Sequence, residues 1–118
     1  MTDHELILMA TSSGIKGINP EKLTGQVSAY NYCCDFASGL EKAKTINAKH
    51  TSYGLKHLVE KCSGPNGGYV YEGTLILAMI KYEFKWKQNS DYMKVLFNIA
   101  EKSIEPNCRE MEFAFRNR

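Results

Sequence analysis

Residues 63–68, Ser-Gly-Pro-Asn-Gly-Gly, gather the strong helix breakers into one short stretch, and no regular element runs through such a segment. The patterned half of the chain is therefore split into short pieces. Before the break, Leu55, Leu58, Val59 and Cys62 recur at helical spacing, with Thr51 and Ser52 as candidate N-caps, which predicts a helix over about 52–61. After it, Leu75, Ile76, Met79 and Ile80 predict a second helix over about 72–82. Two alternating stretches follow. Phe84 and Trp86 alternate with Glu83, Lys85 and Lys87; Met93, Val95, Phe97 and Ile99 alternate with Tyr92, Lys94, Leu96 and Asn98. With Gln88-Asn89-Ser90-Asp91 as the turn, they read as a β-hairpin.

The first part of the chain is less regular. Thr2-Asp3-His4-Glu5 has the form of a capping box ahead of Leu6–Ala10, a short helix with a strand as the alternative. Asn19-Pro20-Glu21 is a helix start, and Leu23, Val27, Tyr30, Cys34, Ala37 and Leu40 continue one helical face to a break expected near Gly39. The polar stretch 41–49 either extends that helix or links it to the next. Beyond Pro106-Asn107, alternation of Met111, Phe113 and Phe115 with Glu110, Glu112 and Ala114 predicts a last strand over 108–116. The 118 residues suit one domain, 1–118: a helical part at 1–48, the helix-helix-hairpin unit at about 52–99, and the final strand. The expected fold class is α+β, with N-terminal helices packed on a C-terminal antiparallel β-meander.

Charge and cysteines exclude more than they select. The net charge is +2, with the surplus between residues 49 and 100 from Lys49, Lys56, Lys61, Lys81, Lys85, Lys87 and Lys94. That falls short of the dense basic stripe of a strong nucleic-acid binder. The apolar runs at Leu6–Ala10 and Leu75–Ile80 are far below the roughly 18–20 residues a membrane span needs. An acidic Met1–Glu5 does not read as a signal peptide. Cys33, Cys34, Cys62 and Cys108 form no Cys-x-x-Cys pair, and His50, His57 and Cys62 lack the paired spacing of a zinc site, so free thiols in a reducing cytoplasm and no metal or cofactor are expected.

One motif stands out: Thr51-Ser52-Tyr53-Gly54-Leu55-Lys56-His57, then Glu60, then Gly68-Tyr69-Val70 and Gly73, and finally Phe97-Asn98-Ile99. Over residues 50–100 it resembles a group of small proteins carried by prophages, plasmids and conjugative elements. Those proteins have small polar residues where this chain has Tyr71-Glu72. The resemblance implies a mobile-element origin and no particular reaction.

Three function classes can be weighed. Ser52 or Cys62 with His57 or His50, and Glu60 or Glu72 as acids, can be combined into a catalytic group, but no nucleophile elbow, phosphate loop or metalloprotease motif supports one, so a non-enzyme is expected. Helix, helix and hairpin follow the order of a winged helix-turn-helix DNA-binding protein, though the second helix offers no Arg, Asn or Gln to read bases. The leading expectation is a cytoplasmic protein-binding inhibitor of a host nucleic-acid-targeting defence system, of the anti-CRISPR or anti-restriction kind. Its partner would be a host protein or a protein–nucleic acid complex, met through Tyr53, Lys56, His57, Tyr71, Lys85 and Lys87.

Overall fold

The computed structural model describes residues 1–64, 67–88 and 94–116. Its elements are α1 (Asp3–Ser12), a 3₁₀ turn (Pro20–Leu23), α2 (Val27–Gly39), β1 (Lys42–Thr51), α3 (Ser52–Cys62), α4 (Glu72–Lys81), β2 (Trp86–Gln88), β3 (Val95–Ile99) and α5 (Glu101–Arg116). Helices and an antiparallel sheet make it α+β, and among the described residues no helix is long and apolar enough to cross a membrane.

The helix starts are set by side chains that accept from otherwise unpaired N–H groups. Thr2 accepts from Glu5, Asn19 from Glu21 and Thr51 from Gly54. The helix expected to run unbroken from Asn19 instead stops after one 3₁₀ turn. Gly25, at φ +81°, redirects the chain before α2 begins, a conformation that only glycine adopts without strain. Gly39 closes α2 and leaves room for Asn107 of α5: a Cβ there would lie 1.9 Å from the Asn107 Oδ1. Asn107 in turn donates to the Phe36 carbonyl.

Three parts of the expected arrangement need correcting. The polar stretch 41–49 is neither helix nor linker but β1, which pairs with β3 in the sheet order β1-β3-β2. Its register slips between Lys42 and Asn47 and again between Asn47 and Thr51, so inward and outward positions do not alternate, and half of its residues are exposed and half only partly buried. The sheet is therefore not a C-terminal meander. Residues 108–116 are not a strand but the second half of α5, with Pro106 inside the helix. Ile104, Cys108 and Met111 repeat at helical spacing and are buried, whereas Phe113 is exposed. Finally, Cys62 and Cys108 are not free thiols. They form a disulfide between α3 and α5, while Cys33 and Cys34 remain free. The expected turn at 88–91, apart from Gln88, and Tyr92 and Met93 lie outside the described residues.

At the centre is α4. Every residue from Gly73 to Met79 is buried, and α1, α2 and α3 pack against it. Leu75 and Leu77 point to opposite sides of this helix and both are enclosed. Buried polar side chains fasten the shell around it. Gln26 accepts from the Tyr71 N–H at 2.8 Å and the Thr74 hydroxyl at 2.9 Å, and donates to the Tyr69 carbonyl at 3.1 Å. Asn98 in β3 accepts from the Lys85 N–H and donates to the Ala43 carbonyl, bridging both neighbouring strands. Truncation tests this enclosure. Leu77→Ala and Leu75→Ala should each cost about 2–5 kcal/mol in urea denaturation. A loss below about 1 kcal/mol for Leu77 alone would mean that this side of α4 is open to solvent.

Candidate functional site

The outer side of α3 carries the polar residues that packing does not require. Ser52 and Leu55 turn inward from the first turn of α3 and are fully buried. The Ser52 hydroxyl donates to the Glu72 carboxylate at the head of α4 and accepts from the Val95 N–H at 3.0 Å, so one side chain ties α3 to both α4 and β3. The next residue, Tyr53, is 53% exposed. Its ring meets that of His57, one turn on, edge to face at 4.5 Å.

Lys56 lies beneath this pair and is only 5% exposed. A lysine is buried only when its ammonium is compensated, and three groups do so here. The Tyr69 ring centroid lies 4.3 Å from Nζ, the Tyr53 centroid 5.7 Å, and Glu60 Oε2 3.6 Å. Glu60 serves two more partners: Oε2 accepts from the Val70 N–H at 2.9 Å, and Oε1 lies 2.9 Å from His57 Nδ1. Tyr69 itself is 62% exposed. The result is a solvent-facing pair of tyrosines and a histidine, held by a buried lysine and its half-buried partner Glu60, which also anchors the segment entering α4.

Of the six residues expected to meet a partner, Tyr53, Lys56 and His57 come together here. Lys56 acts from beneath the surface, not on it. Tyr71 was expected on the exposed face but is 5% exposed and built into the core. Its hydroxyl accepts from the Asn19 N–H, and its own N–H is held by Gln26. Lys85 and Lys87 are exposed in and just before β2, the sheet edge opposite β1. Gln26 went unnoticed in the sequence. No short-range pattern marks it, because the break that makes it the N-cap of α2, where its side chain makes no capping bond, appears only in the fold.

The side chains considered for catalysis are placed otherwise. Ser52 is buried against Glu72, Cys62 is in the disulfide, His57 bonds Glu60, and His50 bonds Glu101 at 2.9 Å. Beside α3 a groove of about 730 Å³ runs towards α5, lined by His50, Leu58, Lys61, Glu101 and Arg109 among others.

Burial by itself would raise the Glu60 carboxyl, but the Val70 N–H, the Lys56 ammonium and His57 together hold it below the ordinary carboxylate value. A depressed folded-state value means that its contribution to stability is complete above the ordinary range and is lost as pH falls through the lowered value. Melting temperature should therefore drop as pH falls from about 5 to about 3, and Glu60→Gln should flatten that drop. An unchanged acid branch in Glu60→Gln would mean that the carboxylate is not held by these partners. No protein-family model matches this chain, nor does any curated protein or any solved structure, so its function has to be read from the site itself.

Proposed function

We propose that the protein acts by binding a macromolecular partner, a protein, through the outer face of α3. The observation that carries this reading is the exposed pair Tyr53 and Tyr69, braced by the buried Lys56 and its half-buried partner Glu60. Tyrosine is enriched at interface hot spots, and a ring already held in place loses less conformational freedom on binding. His57 completes the patch, and Lys49 and Lys61 line the shallow groove beside it, which suits an acidic partner surface. Lys85 and Lys87 supply a second basic area at the sheet edge.

The resemblance of residues 50–100 to small mobile-element proteins suggests the setting: a cytoplasmic inhibitor that occupies a host system directed against nucleic acid, without catalysis. The winged-helix alternative is supported less well. It needs α4 in the major groove, and the enclosure of Gly73–Met79 leaves that helix no free face over those residues.

The test pairs partner capture with a functional readout. The protein is expressed in a defended host, and phage or plasmid transfer is scored alongside the proteins it co-purifies with. Tyr53→Ala with Tyr69→Ala should weaken capture by about thirtyfold or more and abolish protection, while the fold is kept at a cost of about 1–2 kcal/mol, because both residues are more than half exposed but their rings also face the Lys56 ammonium. Reversing the charge of Lys85 and Lys87 together should weaken binding with little change in melting temperature. Tight binding to random duplex DNA that falls steeply with salt, and is indifferent to the tyrosine changes, would replace this reading with a nucleic-acid one.

A further inference from the structure

The end of α3 and the middle of α5 bring together Cys62, Cys108 and Glu112, whose sulfur and carboxylate atoms all lie within 4.8 Å of one another. The two cysteines are bonded across a Cα–Cα distance of 5.4 Å. Glu112 stands one helical turn beyond Cys108, and its Oε1 lies 3.4 Å from the Cys108 sulfur. A disulfide sulfur has no hydrogen to donate, so in the oxidised protein this carboxylate oxygen faces sulfur lone pairs. Such a contact becomes favourable when a proton or a cation stands between the two atoms.

We propose that, once the disulfide is reduced, Cys62, Cys108 and Glu112 bind a zinc-class divalent cation, with water as the fourth ligand. The donor set fits: two thiolates and a carboxylate suit a borderline-soft, tetrahedral ion. The spacing fits as well. With Zn–S of about 2.3 Å and Zn–O of about 2.0 Å, tetrahedral coordination separates sulfur from oxygen by about 3.5 Å and the two sulfurs by about 3.8 Å. The first separation is already present at 3.4 Å. The second is close to the non-bonded contact that two sulfurs reach when their bond opens, so side-chain rotation supplies it without moving either helix.

The surroundings match this use. Cys62 and Cys108 are buried, which keeps the thiolates from water, while Glu112 is half-buried at the groove between α3 and α5, which gives an ion and one water a way in. Two thiolates and a carboxylate around a doubly charged ion leave one net negative charge. Lys61, which lines the same groove, offsets it, whereas Arg109 there is already paired with Glu105. Binding forms two metal–sulfur bonds and one metal–oxygen bond, releases two thiol protons to solvent and moves no electrons. The disulfide is opened in a separate, earlier step, in which a phosphine supplies two electrons and ends as its oxide, with one water giving the oxide its oxygen and the two thiols their protons. The α3–α5 junction would then be closed in both redox states, by a covalent bond or by a coordinated ion.

The full chain, reduced with a phosphine and kept anaerobic, is titrated with cobalt(II) as a spectroscopic stand-in for zinc. A thiolate-to-cobalt charge-transfer band and tetrahedral visible bands should appear at micromolar cobalt and be bleached by zinc. Zinc should raise the melting temperature of the reduced protein and leave that of the oxidised protein unchanged. Glu112→Gln keeps both cysteines and the disulfide, and should weaken cobalt affinity by roughly tenfold or more. Cys33→Ser with Cys34→Ser should leave the band intact. Absence of the band in the reduced chain, its loss in the Cys33/Cys34 variant, or unchanged affinity in Glu112→Gln would each overturn the site.

Discussion

The structure is organised around a helix that has no outside. Along α4, Gly73 to Met79 are all buried, and a helix that is apolar around its circumference has to be surrounded. α2 makes the most extensive contact with it, and α3 and α1 complete the wrapping. Burying each Leu, Ile or Met fully is worth about 1.5–3 kcal/mol, so the enclosure supplies much of the drive to fold. It does not by itself fix how the wrapping elements are oriented. That falls to Gln26, Ser52, Asn98 and Asn107, buried polar side chains that each bond backbone groups of segments distant in sequence. Misplacing one would strand a buried polar group at a cost of about 1–3 kcal/mol, so these contacts select one arrangement among many equally greasy ones.

The same economy explains the motif that begins at Thr51. Thr51 caps α3, Ser52 joins α3 to α4 and β3, Leu55 fills the core, and Glu60 holds the chain at Val70 as it enters α4. Even Lys56, which reads as a surface cation, is consumed by the packing of Tyr69 and Glu60 around it. After these assignments, Tyr53, His57 and the ring of Tyr69 are left facing solvent. A surface built on such a junction is rigid because the junction must be. Removing Glu60 or Lys56 therefore disturbs the junction itself, whereas truncating the rings of Tyr53 and Tyr69 leaves its hydrogen bonds in place.

What the sequence made legible was local. The caps at Thr2, Asn19 and Thr51, the two helices flanking 63–68 and the pairing of β2 with β3 all follow from short-range patterns, and all are present. What was illegible depended on distant contacts. β1 lacks alternation because its pairing slips twice along β3, so no period was there to read. In α5, Met111, Phe113 and Phe115 imitate a strand over five residues. The helical repeat of Ile104, Cys108 and Met111 that overrides them crosses Pro106, a residue that as a rule interrupts a helix. Tyr71 was misjudged because a tyrosine can be buried wherever its hydroxyl finds a partner, and that partner, Asn19, is 52 residues away.

The link between Cys62 and Cys108 fits the same logic of enclosure. It spans 46 residues of sequence, and the loop it closes contains α4, β2 and β3. On the chain-entropy view, closing a loop of that size removes about 4 kcal/mol of freedom from the unfolded chain. Two of the five buried positions of α5 are polar, Ser103 and Asn107, and Phe113 is left exposed, so packing alone holds α5 less firmly than a fully apolar face would. A cross-link at Cys108 places that constraint midway along α5, one residue from the Asn107 contact with α2, and so fixes α5 against α2 and α3 together. The groove beside α3 thereby gains a fixed wall, and the face that carries Tyr53 and His57 is steadied from behind.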